Sequence, residues 1–232
     1  MEKFSDIYQR ALERKGGKLM LEQLLPAAPA SHKIAELTDD RVLSAFSKKV
    51  FQSGFVWRVV EQKWPAFEDS FFNFDIQKVL LMPPDMLERK ASDPAIIRNA
   101  KKVMSIYENA LMINDVQQAH GHSFAKFLAE WPKTSIIELW LYLKKHGCRL
   151  GGNTGPYSLR ALGIDTFLLT QDVEAYFRAH KLIEGGLSSK RSLLKIQQCF
   201  NHWQQESGYD LQQISQTIAY SVGDNYVGIQ NA

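Results

Sequence analysis

The sequence predicts an all-α protein, and three observations carry that reading. Apolar residues recur at three- and four-residue spacing along most of the chain. No stretch alternates apolar and polar residues well enough to make a strand. Asp, Ser and Thr stand ahead of the periodic segments, and Gly or Pro follows them, as caps and breaks do.

Residues 3–15 place Phe4, Ile7, Tyr8, Ala11 and Leu12 on one helical face, and Gly16-Gly17 end that helix. Leu19 to Leu25 gives a further turn before PAAPAS, which reads as an irregular connection. Thr38 opens the next helix, with Asp39 and Asp40 in the first turn, where the helix dipole favours negative charge. Its apolar positions include Val42, Leu43, Phe46 and Val50. After a break at Gln52-Ser53-Gly54, a helix from Phe55 to Lys63 is stopped by Trp64-Pro65. Phe67, Phe71, Phe72 and Phe74 are expected in the core. Asp75 and Pro83 begin two short helices that end near Ala91.

Asp93 as cap and Pro94 at the first position are expected to start a long helix through Met112. Gly121 interrupts, Phe124 to Trp131 forms a short helix stopped at Pro132, and residues 134–146 form another. Ser188-Ser189 cap a helix through Gln205, and Asp210 caps the last one, which fades by Val222. The expected organisation has an N-terminal helix and connection over residues 1–37, packed on the core. A helical domain follows over 38–222, and a loose tail over 223–232.

With 232 residues, 45% of them hydrophobic and 23% charged, the chain is long enough for one sizeable domain or two small ones sharing a core. A net charge of +3 does not by itself point to nucleic acid, so the local distribution of charge must decide. Two cysteines, Cys148 and Cys199, fit a reducing cytosol better than a disulfide framework. Met1 to Lys18 is charged throughout, unlike a signal peptide, and no apolar run is long enough to span a bilayer. The expectation is a cytoplasmic protein with no membrane role and a monomeric state.

The most informative stretch is Lys144 to Phe177. It reads as a helix end, a glycine hairpin (LGGNTG), and a second helix near Pro156, whose missing N–H costs nothing in a first turn. The unpaired N–H groups of that turn make a natural phosphate cradle. Lys144, Lys145, Arg149 and Arg160 surround it, and Arg178, Lys181, Lys190, Arg191 and Lys195 form a second basic cluster with Glu184 as its acidic neighbour. A helix–hairpin–helix is one reading and an ordinary helix–helix turn the other. Asp172 reads either as the cap of VEAYFRAH or as a carboxylate stabilising positive charge on a sugar. No metal site is expected, since neither cysteine has a CxxC partner, and His120 and His122 have no accompanying Cys. A nucleophile elbow and a P-loop are both absent.

Three blocks in order resemble the type I 3-methyladenine DNA glycosylase family of the helix–hairpin–helix DNA glycosylase superfamily. They are FQSGFVWRVVEQKWPAFEDSFFNFDIQKV, DPAIIRNAKKVMSIYENA and LKKHGCRLGGNTGPYSLRALG, together covering about residues 40–165. The resemblance implies a helical glycosylase fold with its DNA-binding hairpin at 144–163. It also implies hydrolysis of the N-glycosidic bond of an alkylated purine in duplex DNA, without lyase activity. Such an enzyme flips the base into a pocket. A methylated adenine is cationic, already a good leaving group, and stacks well between aromatic rings.

By position, the resemblance places Trp57 and Tyr8 in the base pocket and Gln52, or alternatively Phe51, as the plug that fills the gap in the duplex. Arg149, Gly151, Gly152, Asn153, Thr154, Gly155 and Tyr157 fall on the DNA backbone. Asp172, with Thr170 as its rival, stands near the superfamily's catalytic aspartate. The chain departs from the family at four places. Lys49 stands where the pocket glutamate is expected, eight residues before Trp57; Ala11 and Leu12 replace a Tyr-His pair; Gly16 replaces a Trp. The family's zinc ligands have no counterparts, so no cofactor is expected. The expected partner is double-stranded DNA containing a damaged base. DNA binding without catalysis is the alternative.

Overall fold

The computed structural model describes residues 1–25, 27–28, 31–187 and 189–223. Pro26, Pro29 and Ala30 of PAAPAS, Ser188 and the tail from Asp224 lie outside the described residues. Among the described residues the chain holds fourteen α-helices, two short 3-10 turns and no strand, as the periodicity predicts. In chain order the helices are α1 (Phe4–Arg14), α2 (Lys18–Gln23), α3 (Ser31–Ala35), α4 (Asp39–Gln52), α5 (Trp57–Ser70), α6 (Ile76–Leu80) and α7 (Pro84–Ala91). They continue with α8 (Ala100–His120), α9 (Phe124–Ala129), α10 (Ile136–His146), α11 (Thr154–Ala161), α12 (Gln171–Ala179), α13 (Lys190–Ser207) and α14 (Leu211–Ser221).

Contacts divide the chain into two compact units. The first joins Met1–Pro29, Pro132–Ile137 and Asp165–Ala232, and the second joins Ala30–Trp131 and Glu138–Ile164. The N-terminal helix therefore belongs with the C-terminal helices, and the division follows contacts between the chain ends rather than a cut at residue 37.

In the first unit, α1 packs on α14 and α13. Phe167 and Phe200 stack with centroids 4.0 Å apart, and Phe177 and Trp203 close around them. The Glu2 carboxylate pairs with Arg10 and accepts the Tyr176 hydroxyl at 2.8 Å. Asp210 and Gln213 form a reciprocal capping box at the start of α14.

In the second unit, α4 and α8 run through the core, with Val42, Leu43, Phe46, Val103, Ile106 and Ile113 buried. Asp39 does more than complement the α4 dipole. Its carboxylate is buried and accepts from the backbone N–H groups of Phe124 and Ala125 at 2.7 and 2.8 Å, so it ties α4 to the start of α9.

Three sequence expectations change. The helix expected to stop at Trp64-Pro65 runs on to Ser70, because Trp64, Phe67 and Phe71 stack as a buried column that holds α5 through the proline. The long helix starts at Asn99, not Asp93. The Asn99 side chain accepts from Lys102 N–H, whereas Asp93 closes a local turn by accepting from Ala95 N–H. Phe72 is 39% exposed, whereas Phe67, Phe71 and Phe74 are buried as expected.

Candidate functional site: a basic hairpin beside Trp57

The hairpin is built from the end of α10. Lys144, Lys145 and His146 occupy the last turn of that helix, where positive charge is favoured. The chain then turns through Cys148, whose backbone N–H donates to Asn109 Oδ1 at 2.8 Å and whose carbonyl accepts from Asn109 Nδ2 at 3.1 Å. Asn109 is fully buried on α8, so this double bond pins the hairpin to the core. Arg149 follows with φ at 61°, a left-handed backbone that costs a non-glycine residue energy. Leu150 is buried and anchors the loop. α11 starts at Thr154, two residues before Pro156, and the Thr154 carbonyl accepts from the Ser158 hydroxyl at 2.8 Å. Gly155 admits no larger residue in place, since a Cβ there would lie 2.5 Å from the Leu150 carbonyl oxygen.

Arg149, Gly151 and Thr154 line a cavity of about 250 Å³ with Val50, Ser53 and Lys102. Two cations and no carboxylate converge there among the described residues. Lys102 is only 7% exposed. Its ammonium donates to the carbonyls of Val50, Phe51 and Ser53 at 2.8, 3.3 and 2.5 Å, closing the C-terminus of α4. Burial pushes its pKa down, and the Arg149 charge adds to that. Gly152 and Asn153 are exposed at the tip of the hairpin, Gly151 lies against the Lys144 stem, and Tyr157 is half-buried.

Trp57 begins α5 beside the hairpin and is 51% exposed. Its indole meets the Tyr157 ring edge-on at 6.2 Å, and the Lys49 ammonium lies 4.6 Å from its ring centroid. Lys49 donates to Gln52 Oε1 at 2.7 Å, and Gln52 Nε2 donates to Glu61 Oε1 at 2.8 Å. The other Glu61 oxygen accepts from Lys48 at 3.1 Å. Burial is the largest influence on Lys49 and lowers its pKa; Glu61 opposes that and Lys48 reinforces it.

The structure thus brings Lys49, Gln52, Trp57, Tyr157, Arg149 and the glycine hairpin together on one unit. Both plug candidates are turned inward. Phe51 is fully buried with its ring 4.6 Å from Phe67, and Gln52 is 5% exposed and held at both ends of its amide. The apolar side chains facing solvent at this bend are Val56, Trp57 and Val59.

Tyr8 and Asp172 belong to the other unit. Tyr8 stacks on Tyr209 at 5.8 Å and packs against the Ala11–Leu21–Leu25 cluster, and burial, with help from Tyr209, pushes its pKa up to about 12. Thr170, not Asp172, caps α12, accepting from Val173 N–H at 3.3 Å. Asp172 is half-buried in the first turn of that helix. The second basic cluster is partly neutralised, since Arg178 pairs with Glu174. Among the described residues no three His, Cys, Asp or Glu side chains come together as a metal site requires.

Comparison with known proteins now decides the family. The model of the methyladenine glycosylase family matches residues 34–146. The DNA-3-methyladenine glycosylase 1 of Escherichia coli (strain K12) is 30% identical over 145 residues, which span 51% of this chain and 77% of the relative. The chain belongs to the methyladenine glycosylase family. The 8-oxoguanine DNA glycosylase of Thermotoga maritima superposes over 94% of this chain and 97% of its own length, with a TM-score of 0.50 at 16% identity. That likeness shows a shared helical glycosylase fold. The 3-methyladenine DNA glycosylase I of Staphylococcus aureus is 25% identical, with 54% of this chain and 76% of the relative covered and a TM-score of 0.48.

Family membership assigns the matched block, α4 to α10, to the glycosylase scaffold. The residues that sequence reasoning missed are Lys102, Asn109 and Glu61. Two of them carried a signal. Lys102, Ser105 and Asn109 are polar residues at helical spacing on the buried face of α8, where an ordinary core helix would be apolar.

Proposed function

We propose that this chain hydrolyses the N-glycosidic bond of an alkylated purine in duplex DNA, the opening step of base-excision repair. The observation that carries the reading is the hairpin, where Lys102 and Arg149 line a cavity at the loop backbone and Tyr157 meets the half-exposed Trp57 edge-on. Phosphate contacts to the hairpin amides and Arg149 hold the duplex, and Trp57 offers a face on which an extruded base stacks. Alkylation at a ring nitrogen makes the base a good leaving group, so positioning and charge stabilisation supply most of the acceleration.

Of the two candidates for the superfamily's aspartate position, the Thr170 hydroxyl is engaged as a helix cap, which leaves Asp172 as the carboxylate to test. Water is the nucleophile, so the product is a free base and an abasic site without strand cleavage. The enzyme acts as a monomer in the cytoplasm.

A single-turnover assay on methylated duplex DNA tests this. Chromatography of released bases should show product, and a denaturing gel should show no nick until the abasic site is cleaved by alkali. Asp172→Asn should slow release; an unchanged rate removes Asp172 from the mechanism. One observation favours a second reading, DNA binding without base release: the Lys49 ammonium lies on the Trp57 face that a base would use. Tight, salt-sensitive duplex binding with no released base selects that reading.

A further inference from the structure

We infer that Lys49 makes this site select purine lesions that present a carbonyl oxygen at C6, and reject those that present an amino group there together with a positive charge. The inference rests on the glycosylase reading above and names the substrate class of the same site.

A lysine ammonium offers three N–H donors and no acceptor. One is taken by Gln52 Oε1, and the group is held 4.6 Å from the centroid of the Trp57 ring. Its direction is fixed from behind. Lys49 can meet only the oxygen of the Gln52 amide and Glu61 only its nitrogen, so the amide has one orientation. Lys48 holds the far oxygen of Glu61. Two lysines and one carboxylate leave one positive charge over, and it sits at the tryptophan face.

A base brought to that face meets N–H donors and positive charge. An N-alkylated adenine brings an exocyclic amino group, itself a donor, and a cationic ring, so both features meet their like. A 6-oxopurine brings an acceptor to the same donors. Guanine alkylated at a ring nitrogen and a deaminated purine such as hypoxanthine share that carbonyl. The first carries the ring charge and the second does not, so hypoxanthine is the better match of the two.

Single-turnover release from methylated duplex DNA, with 3-methyladenine and 7-methylguanine separated by chromatography, is measured beside a duplex carrying hypoxanthine. Wild type should release 7-methylguanine or hypoxanthine faster than 3-methyladenine. Lys49→Glu should move the ratio towards 3-methyladenine by about 10- to 100-fold, the cost range of setting a buried donor against a donor. Lys49→Met, which keeps the stem, should lower the preference without reversing it. Faster release of 3-methyladenine by wild type overturns the inference, and so does a ratio that Lys49→Glu leaves unmoved; in both cases the glycosylase reading stands. Release of no base by any of the three proteins overturns the glycosylase reading and the inference with it.

Discussion

Replacing Lys102 by methionine separates the two things this lysine does. Its stem is buried, so methionine keeps most of the packing and removes only the ammonium. Three carbonyls at the end of α4 then lose their donor. Two of them, on Val50 and Phe51, accept in buried bonds, and a buried unsatisfied carbonyl costs about 1–3 kcal/mol. The variant also escapes the desolvation that lowers the lysine pKa, together with repulsion from Arg149, which offsets part of the loss. A net destabilisation of roughly 2–4 kcal/mol follows, or about 5–15 °C in Tm for a chain of this size. Thermal melts followed by circular dichroism read this directly. If the cavity also takes a DNA phosphate, the slope of log binding constant against log salt should become shallower by about 1. An unchanged Tm refutes the capping argument. A lowered Tm with an unchanged salt slope leaves Lys102 a cap alone and refutes its part in phosphate binding.

Arg149→Gly should do the reverse, relieving a left-handed residue at a gain of up to ~1 kcal/mol while making the salt slope shallower by about 1, read by the same melts and titrations. Gly155→Ala should destabilise by about 1–3 kcal/mol and weaken DNA binding, because its Cβ would lie 2.5 Å from backbone oxygen. Gly151→Ala meets only the flexible Lys144 stem, at 3.2 Å, and should change either property little; equal effects at the two glycines would sink the argument. Trp57→Ala should slow base release by about 10- to 100-fold through lost stacking, with little effect on Tm because the ring is half-exposed.

Acid stability should depend on Glu2. The Arg10 hydrogen bond is the largest influence on its carboxyl, and the net pKa lies below 4.5 despite burial. A depressed carboxylate pKa contributes stability that is present above pH 4.5 and lost as pH falls through the folded value. Glu2→Gln should therefore lower Tm at pH 7 and flatten its decline below pH 4.5; parallel Tm–pH curves refute this.

Helix type was legible because the amphipathic period runs through nearly every segment, and caps such as Asp75, Ser189 and Asp210 stand where local chemistry demands them, whereas α3 lies in a stretch that reads as a connection. Two boundaries misled, one through tertiary packing and one through a competing local turn. Pro65 stays within α5 because the stacked aromatic column around Trp64 and Phe67 outweighs the lost backbone bond, and Asn99 captures the start of α8 because Asp93 spends its carboxylate on a turn. At the site, the hairpin was readable from glycines and charge, while burial was not. Phe51 and Gln52 flank a bend that reads as surface, yet both point inward, and the exposed apolar residues lie a few positions later.

Lys49 is the position where sequence and structure pull hardest in opposite directions. As a substitution for an expected acid it reads as a decayed pocket, and a decayed pocket has a physical signature: a long side chain released to solvent, keeping its rotamer entropy. Fixing a lysine costs up to about 2 kcal/mol of that entropy, which a single exposed ion pair does not recover. Here the ammonium is half-buried, bonded to an amide that is bonded on its far side to Glu61, and set on an aromatic ring. Gln52 is withdrawn from the surface to make that relay. Three side chains ordered around one ammonium at an otherwise open tryptophan describe a site with altered preference more economically than one that has been abandoned. The distinction is chemical, so it is decided by which base leaves the duplex.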